Sequence, residues 1–195
     1  MTYLAGIDVG TGSIKAVLYD ASQGSVVAVA HRPTPLLHPR PDWSEFDPEG
    51  IWDAVAACLR EVVAQVPFGG TVAGVAAASM GEAGVPIDAV GRILDTVIAW
   101  YDQRTAPQAE WWQQTFGAER IYAITGHAIS PVFSINKLLW LREHRPVVFA
   151  AMEHWLCMED FVLWKLSGEY ATDYSVASRT MAFDQTHLDW SDEIL

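Results

Sequence analysis

The sequence predicts an α/β fold with a mixed central sheet, antiparallel β-hairpins first and β/α units after them, flanked by helices. Its first thirty residues alternate apolar and polar with period two, punctuated by Gly and Asp, which is the pattern of short strands in succession. A stripe of apolar residues at spacings of three and four follows, and from Arg104 onward the periodicity is helical.

Tyr3 to Asp8 reads as the first strand, and Gly10-Thr11-Gly12-Ser13 as the turn into the second. Ile14 to Asp20 puts Ile14, Ala16 and Leu18 on one face and Lys15, Val17 and Tyr19 on the other. After a turn at Ser22-Gln23-Gly24, Val26 to Ala30 is the third strand, and the proline-rich stretch from Pro33 to Pro41 reads as an irregular loop. Asp47 is a natural N-cap with Pro48 at the first helical position, and Ile51, Val55, Leu59, Val62 and Val66 share one stripe. Val72 to Ala78 is nearly continuously apolar, as expected of a strand covered on both faces, and Ser79-Met80-Gly81-Glu82 ends it. Val85 to Asp88 and Leu94 to Ala99 are expected to continue the sheet across a Gly91 turn. Helices are expected over Ala106 to Phe116, Ala118 to Ile124, Asn136 to Glu143 and Glu159 to Leu166, the last stopped by Ser167-Gly168. Ser191 reads as the cap of a helix that Leu195 cuts to barely one turn, so a truncated reading frame is expected. No repeat or linker interrupts residues 1–195, which read as one domain incomplete at its C-terminal end.

Composition narrows the partners. Twelve basic against twenty-four acidic residues give a formal charge of -12, which repels nucleic acid and leaves no polybasic stripe for anionic lipid. The apolar runs are too short to span a bilayer and no basic-then-apolar leader opens the chain, so a cytoplasmic protein is expected. Cys58 and Cys157 lack partners at metal-ligand spacing and read as reduced and buried.

The sharpest local feature is Asp8-Val9-Gly10-Thr11-Gly12-Ser13-Ile14-Lys15. Its glycines let backbone N–H groups approach a phosphate, Thr11 and Ser13 add donors, and Lys15 adds charge. Asp8 is placed to hold a magnesium-bound water, which makes it the candidate metal-side residue. Strand alternation resumes at Ile14, so this is not a Walker loop, whose glycines lead into a helix. A tight hairpin turn with no ligand satisfies the same residues. Farther on, Glu82 at a strand end and Trp100-Tyr101-Asp102-Gln103-Arg104 at another suit a sugar: an aromatic face for its C–H side and carboxylates for its hydroxyls. The competing reading has Trp100 in the core and Asp102 paired with Arg104 at the surface.

These motifs, in this order, resemble the FGGY family of carbohydrate kinases over nearly the whole chain. Asp8 to Asp20 looks like the family's first phosphate loop and Trp43 to Pro48 its lead into the first helix. Ser79 to Asp88 is similar to its sugar-binding strand end, and Trp100 to Arg104 to its tryptophan-acid-arginine stretch. Ser134-Ile-Asn-Lys137-Leu-Leu-Trp140-Leu-Arg-Glu143-His144 resembles the core of its first signature, and Asp160, Leu166 to Glu169, Thr172-Asp173, Ser175 and Asp184 to Trp190 follow its later segments.

The resemblance implies an actin-like/ribonuclease H-like domain that helps transfer the ATP γ-phosphoryl group to a sugar or polyol hydroxyl with Mg2+. It implies phosphate contacts from Asp8, Gly10, Thr11, Gly12, Ser13 and Lys15, and substrate contacts from Gly81, Glu82, Trp100, Asp102 and Phe133. The family's base aspartate and most of its adenine pocket lie beyond Leu195, so no catalytic base is assigned, a desolvated Glu82 or Asp102 being the lesser alternative, and the chain alone is expected not to turn over ATP. Gly81 stands where glycerol kinases carry an arginine, and Gly81-Glu82 where xylulokinases carry Met-His, so neither substrate is implied. His127, in a neighbouring loop, reads first as a surface group, with contact to substrate as the alternative. A non-catalytic sugar sensor, an actin-like assembly protein and a self-associating domain stay open, as does a homodimer.

Overall fold

The computed structural model describes all 195 residues. Strands β1 (Thr2–Val9), β2 (Ser13–Asp20) and β3 (Ser25–Pro33) form an antiparallel meander. Two-residue strands β4 (Leu36–Leu37) and β5 (Glu45–Phe46) lead into helix α1 (Pro48–Val63), and β6 (Thr71–Ser79) returns parallel to β1. The central sheet has the order β3-β2-β1-β6.

Then come β7 (Gly84–Ile87), β8 (Val97–Ile98), a single 3-10 turn (Gln103–Thr105), and helices α2 (Ala106–Thr115), α3 (Ala118–Thr125), α4 (Ser134–His144) and α5 (Pro146–Ala151). Strand β9 (His154–Cys157), α6 (Met158–Ser167), α7 (Tyr174–Ser178), β10 (Phe183–Asp184) and β11 (Asp189–Trp190) complete the chain. Gly168 ends α6 in the left-handed conformation, φ 80°, where any Cβ would be strained.

The alternation read in β1 and β2 is the one that folds. Tyr3, Ala5, Ile7 and Val9 of β1 and Ile14, Ala16 and Leu18 of β2 are buried, and their intervening neighbours are not. That buried face meets α1 in two clusters: Ile51 and Val55 pack with Ile7, Val9 and Ile14 and are joined by Met158, Phe161 and Val162 of α6, while Cys58 and Val62 pack with Tyr3, Ala16 and Leu18. Cys58 takes a place in the stripe, whereas Val66 lies past the end of the helix. A second core beneath α2, α3 and α4 gathers Trp112, Ile121, Phe133, Ile135 and Met181.

Five expectations are corrected. Asp47 has the extended backbone of an N-cap, but its side chain makes no capping bond; a Cβ on Gly50 would lie 2.8 Å from its Oδ2. The Pro33–Pro41 loop contains β4, which pairs with β5. Val72 to Ala78 is not covered on both faces, since Ala73, Gly74, Val75, Ala76 and Ala78 are exposed; the strand also lies at the sheet's edge, paired only with β1. An unbroken apolar run reports hydrophobicity, not the number of neighbours a strand acquires. Val85–Asp88 and Leu94–Ala99 do not extend the central sheet either, since β7 pairs with β9 and β8 with β5. At the C-terminus Ser191 closes one turn, its carbonyl accepting from the N–H groups of Ile194 and Leu195, and no helix follows.

Gly84 is the tightest glycine: a Cβ there would lie 2.2 Å from the Trp155 ring across the β7–β9 pair. Gly84→Ala is expected to cost about 1–3 kcal/mol, read by thermal unfolding. Gly12→Ala, with nothing within 4 Å, is expected to stay within about 0.5 kcal/mol. Asp160, buried in the first turn of α6, has its pKa raised to about 7, burial outweighing the hydrogen bond from Thr172. The folded chain therefore holds a proton there that an unfolded aspartate releases near pH ~4. Stability should fall as pH rises from about 4 to 7, and Asp160→Asn should flatten that slope and raise the melting temperature at pH 8.

Candidate functional site

The parallel ladder between β1 and β6 ends with Val9 opposite Ser79, and the Met80 N–H donates to the Val9 carbonyl at 3.0 Å. Both chains therefore leave the sheet side by side, one into the glycine turn and the other into Gly81-Glu82. The turn is closed by Gly10 N–H to the Ser13 carbonyl, 3.1 Å. Thr34 braces it from β3's end, its Oγ1 donating to the Gly10 carbonyl at 2.7 Å and its N–H to that of Gly12 at 3.3 Å. Trp100 Nε1 donates to Thr11 Oγ1 at 3.0 Å, so the indole and the turn are one unit. Gly12 is exposed and Thr11 and Ser13 half-buried, which leaves the turn at the surface.

Asp8 and Lys15 face each other across the hairpin with Lys15 Nζ 3.3 Å from Asp8 Oδ2, each side chain 50% exposed. A pair so exposed contributes little to stability and yields readily to another ligand. No group of three or more His, Cys, Asp or Glu side chains stands together to hold a metal directly. One half-exposed carboxylate beside a phosphate-sized turn suits contact with a hydrated Mg2+ through water and does not suit a caged ion.

Glu82 is buried, 7% exposed, and accepts at Oε1 from Arg179, from Nε at 2.7 Å and again from Nη2. Arg179 follows α7 and lies over the Phe133 ring, 5.2 Å from its centroid. His127 also packs on Phe133, with ring centroids 4.9 Å apart, and its Nε2 is buried without a hydrogen-bond partner. Burial and the Arg179 charge lower the His127 pKa, which keeps the ring neutral. Ser134 Oγ donates to the Glu82 carbonyl at 3.2 Å, anchoring the start of α4 under the acid. Lys137, one turn on, is fully buried, and its Nζ donates to the Val132 carbonyl at 2.5 Å. Burial pushes its pKa down to about 8 against the attraction of Glu82, Cys157 and Asp102.

Asp102 is placed differently. It is 3% exposed, and its two oxygens accept from Arg104 N–H (2.9 Å), Nε (3.0 Å) and Nη2 (2.7 Å) and from Ser44 N–H (2.7 Å). Burial pushes its pKa up, but these bonds to Arg104 and Ser44 outweigh it and hold the carboxyl below its usual range. Arg104 spends its remaining arm on Glu45 Oε1 at 2.6 Å and lies against Trp43, 3.7 Å from the ring centroid. The pairing of Asp102 with Arg104 is buried, where the alternative sequence reading had it at the surface.

Thr11, Trp100, Gly81 and Glu82 thus gather at one end of the sheet, Phe133 joins them beneath Arg179, and Asp8 and Lys15 flank the turn. Asp102 spends its oxygens on the protein. Sequence reasoning missed Thr34, a small polar residue in a proline-rich loop, and Arg179, whose only mark is a charge just after a short helix. His127 is half-buried against Phe133 and is not the free surface group expected.

The model of the FGGY family of carbohydrate kinases, N-terminal domain, matches residues 3–195. A glycerol kinase of Citrifermentans bemidjiense is 36% identical over 209 residues, covering 100% of this chain and 41% of that protein. The xylulose kinase of Escherichia coli is 34% identical over 190 residues, covering 97% and 38%. Among solved structures, ligand-bound xylulose kinase from Lactobacillus acidophilus superimposes with a TM-score of 0.93 at 28% identity, covering 100% and 39%. The chain spans 38–41% of the length of these relatives.

Removing Arg104 strands two buried carboxylates, Asp102 and Glu45. Arg104→Ala is expected to cost about 3–5 kcal/mol in chemical denaturation, with Arg104→Lys recovering only part because an ammonium cannot reproduce the fork.

Proposed function

The chain belongs to the FGGY family of carbohydrate kinases, and on that premise we propose that it supplies the sugar- and phosphate-gripping half of an ATP-dependent kinase acting on a sugar or polyol hydroxyl. The observation that carries the reading is the shared exit of the Gly10–Gly12 turn and the Glu82 segment from β1 and β6, joined by the Met80 to Val9 hydrogen bond. Phosphoryl transfer depends on positioning and charge neutralisation, and two loops leaving neighbouring strands are a way to hold donor and acceptor together.

In this reading the backbone N–H groups of Thr11, Gly12 and Ser13 and the Lys15 ammonium receive the terminal phosphates. Trp100 holds Thr11 in place through its Nε1 bond, and Glu82 receives acceptor hydroxyls. Asp8 would hold a hydrated Mg2+ through one of the ion's waters, and the ion would supply neutralisation of the phosphate charge. Asp102 acts as a positioning residue, since its Ser44 and Arg104 bonds join β5's approach to the segment after β8. The base that takes the acceptor proton is assigned to no residue of this chain. Free, buried Cys58 and Cys157 suit a reducing cytoplasm, and no helix is long and apolar enough to cross a membrane.

The test is ADP release with a panel of pentuloses, polyols and hexoses, using the 195-residue chain and the product of the complete reading frame that contains it. Sugar-dependent turnover is expected in the complete product and not in the chain alone, and Asp8→Asn should lower kcat at least tenfold. Turnover by the chain alone would overturn the division of labour, and sugar binding without ADP release from the complete product would make the protein a sensor.

A further inference from the structure

Glu82 is bound by Arg179 through one oxygen only. Both guanidinium contacts, Nε at 2.7 Å and Nη2, fall on Oε1, so Oε2 of Glu82 and Nη1 of Arg179 make no hydrogen bond within the protein. One acceptor and one donor are thus left open on the two members of a single ion pair, with the carboxylate almost buried and the arginine side chain 40% exposed. Their charges cancel.

The arrangement depends on Gly81. A Cβ on that residue would lie 3.2 Å from Arg179 Cγ and 3.6 Å from its Cβ and Nε, so the missing side chain is the space the arginine stem occupies. The Arg179 guanidinium lies over the Phe133 ring, 5.2 Å from its centroid, within reach of a cation–π attraction. Arg179 thereby reaches the end of β6 from a segment 97 residues away in sequence.

We infer that Arg179 is a substrate-binding residue and that, with Glu82, it reads two neighbouring hydroxyls of a neutral polyol or ketose. The inference rests on the kinase reading above and names its acceptor class. One hydroxyl donates to Glu82 Oε2 and its neighbour accepts from Arg179 Nη1. A hydroxyl carries both a donor and acceptors, so a vicinal diol satisfies both open atoms at once. An acceptor that brings a carboxylate to the same place satisfies Nη1 and sets a second negative charge against Glu82 Oε2, which selects against it.

The test is calorimetric titration of the 195-residue chain with xylitol, xylulose and glycerol as neutral probes and gluconate as the anionic one. The unsubstituted chain is expected to bind at least one neutral probe tenfold or more tightly than gluconate. Arg179→Met should weaken that binding at least tenfold, Arg179→Lys should restore part of it, and Gly81→Ala should weaken it several-fold by displacing the arginine stem. Because Arg179→Met leaves Glu82 without its counter-charge, the pair Glu82→Gln with Arg179→Met is measured beside it and beside Glu82→Gln alone. This neutral, similarly shaped pair should keep the unsubstituted near-UV circular dichroism and bind the probe several-fold more weakly than Glu82→Gln alone, the difference being the Arg179 contact. Unchanged polyol binding in Arg179→Met, or binding by the double variant equal to that of Glu82→Gln alone, overturns the inference and leaves the kinase reading standing, as does gluconate binding as tightly as the polyols. If the unsubstituted chain and the complete product both bind no polyol and release no ADP, the kinase reading falls, and this inference with it.

Discussion

The parallel pairing of β1 with β6 is the constraint on which the rest of this molecule depends. Its register runs from Thr2 opposite Thr71 to Val9 opposite Ser79, absorbs one irregularity at Tyr3/Leu4, and hands over to the Met80–Val9 hydrogen bond. A slip of one residue would turn Ile7 and Val9 out of the core and separate the glycine turn from Glu82. Parallel strands need a crossover, and α1 supplies it while covering the buried face of the meander, so the same helix that seals the core sets the spacing of the two loops.

Around that strand end the chain buries charge in two distinct ways. Asp102, Arg104 and Glu45 form a closed network in which the carboxylate of Asp102 accepts four bonds and the guanidinium is held against Trp43. Such a network offsets the cost of desolvation only when every partner is present, and it ties the segment after β8 to the approach to β5. Glu82 and Arg179 are the opposite case, a pair satisfied on one side and open on the other. The difference between a finished ion pair and an unfinished one separates framework from candidate site here more cleanly than residue type does.

Much of the framework was legible in the sequence for a physical reason. Strands β1 and β2 bury one face, so their period-two pattern carries the fold's own inside and outside, and the α1 stripe does the same at helical spacing. The glycine turn was legible because it interrupts that alternation without starting a helix, and Glu82 because it ends an apolar run. The exposure of β6, the split of β7 and β8 into separate small sheets, and α5, α7 and β9 to β11 were not legible. Short elements carry too few residues for a period, and pairing is decided by partners distant in sequence. Pro86 illustrates this, facing Trp155 across the β7–β9 pair from 69 positions away.

By itself the sequence determined the order of the leading strands, the helix that closes over them, the turn suited to phosphate and the acid suited to a hydroxyl, because each is written in residues close together. Only the tertiary structure decided that both Asp102 oxygens accept bonds from Arg104 and Ser44, that Trp100 is bound to Thr11, and that an arginine laid across Gly81 pairs with Glu82. Those outcomes depend on which oxygen each distant donor reaches in three dimensions, and no local pattern of residues encodes that choice.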